Sequence, residues 1–215
     1  GLLDSVQRRT FAYFWEFGHP VSGLARERNS SGDLVTSGGS GFGLMTIPVG
    51  IERGFITKAE GLERSKLIVD FLLNKTDTYH GAFPHWFSGS TGKTIPFSAN
   101  DNGADLVETS FLMAGLLTLR QYFDGNDPSE TQIRDDINTL WSNVEWSWFR
   151  KNNEDVLYWH WSPDKAWIMN LQIRGWNECL TTYLLATSSP THAIPTEVYH
   201  KAWASHGGIK NNKPS

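Results

Sequence analysis

Residues 100–117 read NDNGADLVETSFLMAGLL. The apolar run after Asp105 marks a core helix over about 101–123. The first two turns of that helix nonetheless carry three acids, Asp101, Asp105 and Glu108. On a helix these positions follow i, i+4, i+7 and share one face. Asp101 fits a cap or a first-turn acid, favoured by the helix dipole. Asp105 and Glu108 sit among apolar neighbours, where a carboxylate needs hydrogen-bond partners or a raised pKa. Groups of this kind gather at acid–base sites.

Glu178 poses the same question. It follows RGWN and precedes CLTTYLLA, at the start of what reads as a largely buried helix over 177–189. One reading is an acid at a helix N-terminus. The other is a carboxyl that a partly apolar setting keeps protonated near neutral pH, fit to donate a proton.

Working outward, residues 3–17 put Leu3, Val6, Phe11, Phe14 and Trp15 mostly on one helical face. A long loop over 19–39 follows, rich in Gly and Ser, and loops of that length usually serve a site. Residues 40–53 read as a helix of small residues able to pack closely, with Pro48 kinking it or marking an irregular start. The segment 56–75 is an amphipathic helix, with Thr57 and Glu60 spaced as a capping box. Residues 79–98 read as a short hairpin or an ordered loop. A further helix runs over 127–151, with Pro128 near its first turn. A second aromatic loop spans 155–176, and a short helix over 195–207 closes at Gly207. Strands are few, so the alternation of a parallel-sheet fold is missing. The pattern predicts one all-α domain over 1–215, a stack of helical hairpins with functional loops at one end.

Composition narrows the function. The 215 residues carry a formal net charge of -4 and no Lys/Arg run, which argues against a nucleic-acid partner. No stretch approaches the ~20 apolar residues of a membrane helix, so no membrane insertion is expected. Cys179 is the single cysteine, which excludes an internal disulfide and reads as a small buried hydrophobe. No His/Cys cluster has zinc spacing and no phosphate loop follows a strand. Ten tryptophans are the unusual feature, several beside His, Pro or Gly in loop-like stretches. Indole rings suit the apolar C–H face of a pyranose. Acids lining an aromatic cleft describe a glycoside hydrolase, in which one acid protonates the leaving oxygen and a second carboxylate activates water or attacks the sugar.

The stretches DLVETSFLMAGLL, GAFPHW, LYWHWSP, RGWNECL and YLLATSSPTH resemble the bacterial glucoamylase-like family, near the endo-β-1,2-glucanases of glycoside hydrolase family 144. The resemblance extends from VQRRTFAYFW to YHKAWASHGG, almost the whole chain. It implies an (α/α)6 toroid, inverting hydrolysis of β-1,2-glucan, no cofactor, and a periplasmic or secreted enzyme. It carries the acidic motif onto Asp101, Asp105 and Glu108 and the general acid onto Glu178. It places His85, Trp86, Trp159, His160, Trp161, Arg174, Trp176 and Asn177 along the sugar subsites, with Arg26 and Arg28 as hydroxyl contacts. Toroids of this family are much longer, so about half the ring is expected here, with an open edge that favours self-association. A carbohydrate-binding fragment and a glucoamylase-like domain of a glucan synthase are the competing expectations.

Overall fold

In the computed structural model, which describes residues 1–175 and 177–204, helices dominate and short strands pin the loops between them. The helices are α1 (Leu2–Trp15), α2 (Ser37–Glu52), α3 (Lys58–Asn74), α4 (Leu106–Tyr122), α5 (Pro128–Asn143), α6 (Leu180–Ser188) and α7 (Thr196–Lys201). The strands are β1 (Leu34–Thr36), β2 (Trp86–Ser88), β3 (Thr94–Ile95), β4 (Ala104–Asp105), β5 (Leu157–Tyr158), β6 (His160–Trp161) and β7 (Gln172–Ile173).

Local chemistry explains most boundaries. Thr57 caps α3, its hydroxyl accepting the Glu60 N–H while the Glu60 carboxylate accepts the Thr57 N–H. Asp127 caps α5, with Pro128 in its first turn. Pro48 lies inside α2 near its end, where it removes one i→i−4 hydrogen bond.

Two glycines set how the central helices meet. A Cβ on Gly41 would come 2.1 Å from the carbonyl oxygen of Phe111, and one on Gly115 would come 2.2 Å from that of Gly41. The backbones of α2 and α4 therefore touch. Residue numbers rise together along this seam, from Gly38 beside Glu108 to Gly41 beside Gly115, so the two helices run parallel. A hydrogen bond of 2.9 Å between the Ser110 and Thr182 hydroxyls ties α4 to α6. Helices α1 and α3 pack on α2, α5 on α4, α7 on α6, and α3 on α5. The result is two layers: an inner row of α2, α4 and α6, backed by the others. The N-terminal ends of the inner row define one end of the molecule.

Three differences from expectation stand out. Beyond the helices the described residues form three small antiparallel sheets, β1–β2–β3, β4–β6 and β5–β7. The 79–98 segment is a hairpin, but 155–176 contributes three strands where a loop was expected, because β6 pairs with β4 just before α4 while β5 and β7 pair with each other. Second, α4 starts at Leu106, not near 101. Asp101 sits on a turn bonded back to Ser98, so the three acids do not share a helical face. Third, α6 is only partly buried: Tyr183 is enclosed, but Leu184 is exposed. No described helix is long and apolar enough to cross a membrane.

Candidate active site

Asp105 ends β4 and caps α4. Its Oδ1 accepts the N–H groups of Val107 and Glu108 at 3.1 and 2.9 Å. Its Oδ2 lies 3.2 Å from His85 Nδ1 and 3.8 Å from His160 Nε2. His160 stands opposite Asp105 because β4 and β6 pair in that register. Asp101, on the turn before β4, places Oδ2 3.6 Å from the same Nε2. These four side chains form a knot in which only His85 is more than marginally exposed.

Electrostatics within the knot pull in opposite directions. Burial raises the Asp101 carboxyl, His160 opposes, and the Asp105 charge raises it further; the net shift is upward. Burial alone would depress the His85 imidazole. The hydrogen bond and charge of Asp105, with Glu108 and Asp101 behind it, outweigh burial and lift His85 above its ordinary value. Asp101 Oδ1 and His160 Nδ1 are buried without a hydrogen-bond partner. His85, Asp101 and Asp105 each offer a ligand atom within 4.8 Å of the others, a spacing that could hold a metal ion.

Glu108 lies only three residues beyond Asp105, yet it faces a cleft. Its Oε2 accepts the Gly38 N–H at 3.0 Å, at the start of α2. A Cβ at Gly38 would stand 2.1 Å from that oxygen, so any larger residue there must push the Glu108 carboxylate aside. The cleft has a volume of about 370 Å³, and its walls include Glu108, His85, Arg26, Glu27, Phe42 and Phe111. Burial and then the Asp105 charge push the Glu108 carboxyl up, with a smaller push from Glu27; His85 and the Gly38 amide oppose them. Glu108 therefore holds its proton closer to neutral pH than an ordinary glutamate does.

Trp86 stands beside the cleft. Its indole N–H donates to Glu27 Oε2 at 3.1 Å, and its ring lies 4.5 Å from that of Phe97, which is half exposed. The Arg26 guanidinium rests over the Phe17 ring at 4.6 Å, with its Nε buried and unpaired. Arg28 is exposed and pairs with Glu27 at 3.2 Å.

Other expected site residues lie elsewhere. Trp159 stacks on His160 and packs against the core. Trp161 meets His80 and Trp148 in a separate aromatic group. Arg174 is exposed and bonds Gln172. Asn177 braces its own turn: its Oδ1 accepts the Cys179 N–H and the Trp203 indole N–H. Glu178 is exposed on the turn before α6, so the apolar setting expected for it is not supplied by the described residues. It sits at the same end of the inner row as Glu108. Burial pushes the neighbouring Cys179 thiol up to about 12, with the charges of Glu178 and Asp105 adding to the shift. Trp176 and Gly207 lie outside the described residues. Glu27 was not anticipated. It stands inside GLARER, where the arginines drew attention, and the partner that places it, Trp86, lies 59 positions away.

Comparison with known proteins is specific. Residues 170–214 match a family described as "Putative glucoamylase". The chain is 52% identical, over 95% of its length, to an exo-β-1,2-glucooligosaccharide sophorohydrolase (non-reducing end) of Parabacteroides distasonis, and covers 29% of that protein. Among solved structures it superposes on an endo-β-1,2-glucanase from Chitinophaga pinensis, in complex with sophorotriose and glucose. The TM-score is 0.92 at 52% identity, over 97% of this chain and 51% of the other. It also superposes on a β-1,2-glucanase from Parabacteroides distasonis, with TM-score 0.91 and 53% identity, over 95% of this chain and 30% of the other. The chain belongs to the glucoamylase-like family, among relatives of the β-1,2-glucan hydrolases. It spans about half the length of the Chitinophaga relative and less than a third of the curated one.

Proposed function

We propose that this chain forms part of a glycoside hydrolase that cleaves β-1,2-linked glucan, and that its two layers are the first half of an (α/α)6 ring. The observation that carries the reading is the cleft itself: a carboxyl with raised proton affinity, Glu108, faces a hollow walled by Arg26, Glu27 and the rings of Tyr13, Phe42 and Phe111. The parallel inner row supports the ring, as does the likeness to one half of a solved β-1,2-glucanase. A periplasmic or secreted location is part of the same proposal and rests on the family resemblance alone.

Inverting hydrolysis needs one carboxyl to protonate the glycosidic oxygen and another to activate water, about 6.5–9.5 Å apart. The resemblance of RGWNECL assigns the proton donor to Glu178, with Asp105 and Glu108 positioning water or substrate. A specific observation favours a second assignment. Within the described residues Glu108 has the half-buried setting that a general acid requires, while Glu178 is exposed. Asp105 is buried and engaged by two backbone N–H groups and His85, so its part is to hold Glu108 and His85 in place.

The test is hydrolysis by the full natural chain and by Glu178→Gln and Glu108→Gln variants. Two substrates are compared, linear β-1,2-glucan and an aryl β-glucoside whose leaving group needs no protonation. Losing the acid lowers glucan turnover by about 10²–10⁴-fold but spares the aryl substrate. The variant showing that split identifies the donor. Wild-type protein that binds the polymer in calorimetry yet releases no reducing ends would instead make this a carbohydrate-binding module.

A further inference from the structure

Resting on the hydrolase reading above, we propose that Glu27 is a substrate-binding and positioning carboxylate of the cleft, accepting hydroxyl groups of a glucosyl unit while it fixes the plane of Trp86. Three observations lead there. Glu27 helps to wall the same hollow as Glu108, so two carboxylates from distant parts of the chain face one space. Its Oε2 takes the Trp86 indole N–H at 3.1 Å, and its Oε1 takes Arg28 at 3.2 Å. A carboxylate offers about four lone-pair sites, so roughly two remain for a ligand. Its side chain is 23% exposed, enough for contact and too little for a free surface acid.

The wall around it suits a sugar. Trp86 is held from one side by Glu27 and from the other by Phe97, at 4.5 Å between rings. A rigid indole beside an acceptor matches a pyranose, with its C–H face on the ring and its hydroxyl rim on the carboxylate. Arg26 precedes Glu27 and lines the same hollow, so the stretch Arg26–Glu27 brings a guanidinium and a carboxylate together on one wall, a donor and an acceptor for a polyhydroxylated ligand.

The experiment uses the full natural chain with β-1,2-glucooligosaccharides, and compares Glu27→Gln with Glu27→Ala. Glutamine keeps an oxygen for the Trp86 N–H but loses the charge; alanine loses both. Glu27→Gln raises KM about tenfold, the worth of a charged hydrogen bond, with kcat changed much less. Glu27→Ala raises KM further and leaves the Trp86 fluorescence more open to an aqueous quencher. A third readout needs no substrate: the Glu108 carboxyl, followed by carbon NMR, titrates at lower pH in Glu27→Gln, because one neighbouring negative charge is gone. A merely structural role would leave the KM of Glu27→Gln at its wild-type value, and that result overturns the proposal. If the wild-type protein neither binds nor cleaves the oligosaccharides, the hydrolase reading fails instead. The quenching and titration readouts then still decide whether Glu27 holds Trp86 and faces Glu108.

Discussion

Asp105 and Glu108 are separated by one helical turn, and the structure gives them opposite conditions. Asp105 is buried with partners on both oxygens: two backbone N–H groups on one and an imidazole on the other. Glu108 has one backbone N–H at 3.0 Å and an open hollow in front of it. The same residue chemistry thus builds a joint in one place and leaves a carboxyl facing an open cleft in the next. What separates the two is acceptor capacity left over after folding. A carboxylate whose lone pairs are consumed internally has nothing to offer a substrate, however suggestive its position in the sequence.

The sharpest way to break this comparison is to remove each acid in turn. Glu108→Gln is nearly isosteric and keeps an acceptor for the Gly38 N–H, so the melting temperature stays close to wild type. Turnover on β-1,2-glucan falls at least about 10²-fold. Asp105→Ala strips a helix cap and leaves His85 and His160 without their shared counter-charge. Loss of such a buried pair costs about 3–5 kcal/mol, and loss of the cap about 1 kcal/mol, with overlap between the two. The measurement is the urea midpoint beside kcat. Were Asp105→Ala to unfold like wild type while Glu108→Gln lost its fold, the division into a joint and a cleft-facing carboxyl would be wrong.

A second contrast lies along the seam of α2 and α4. At Gly38 the added Cβ would meet a carboxylate side chain, but at Gly41 it would meet the backbone of Phe111 at 2.1 Å. A side chain can swing aside; a helix backbone cannot. Gly41→Ala therefore destabilises by about 1–3 kcal/mol through overpacking, despite the better helix propensity of alanine. Gly38→Ala displaces Glu108 and reduces turnover more than stability. Thermal unfolding of both variants, set against their kcat, checks the order.

These contrasts show which features a sequence can carry. The capping box of Thr57 and Glu60 was legible because all its partners lie within three residues. The small residues of 40–53 announced close packing, and Gly41 delivers it. The start of α4 is not legible from the three acids, because NDNG precedes it. Those residues are turn formers, and Asp101 is in fact bonded back to Ser98 while Gly103 lies against the backbone of Trp161. The grouping of His85, His160, Asp101 and Asp105 could be suspected from their residue types but not their pairing, which depends on the register of β4 with β6. The role of Glu27 was invisible, because nothing local distinguishes it from a solvated acid in a loop. Glu178 shows the reverse: its neighbours in sequence look apolar, yet its side chain is exposed.

The smallest expected effect concerns pH, and it tests whether the knot behaves as a charged joint. His85 has its pKa raised in the folded protein. A base with a raised folded pKa adds stability below its unfolded value, about 6.5, and that contribution disappears as pH climbs through the folded value. Asp101 and Glu108 are also raised, so folding favours their protonated forms and their ionisation weakens the fold as pH rises from about 4. These three shifts act in the same direction. The stability they contribute falls between mildly acidic and mildly alkaline pH. His85→Gln removes the imidazole part of that slope, while Asp105 keeps a hydrogen-bonding neighbour. Urea midpoints for wild type and His85→Gln at pH 5.5 and 8.5 provide the measurement. The gap between the two proteins is widest at the lower pH and narrows at the higher one. An equal gap at both would mean that His85 acts in the knot only as a neutral hydrogen-bond partner, and the joint would be dipolar, not ionic.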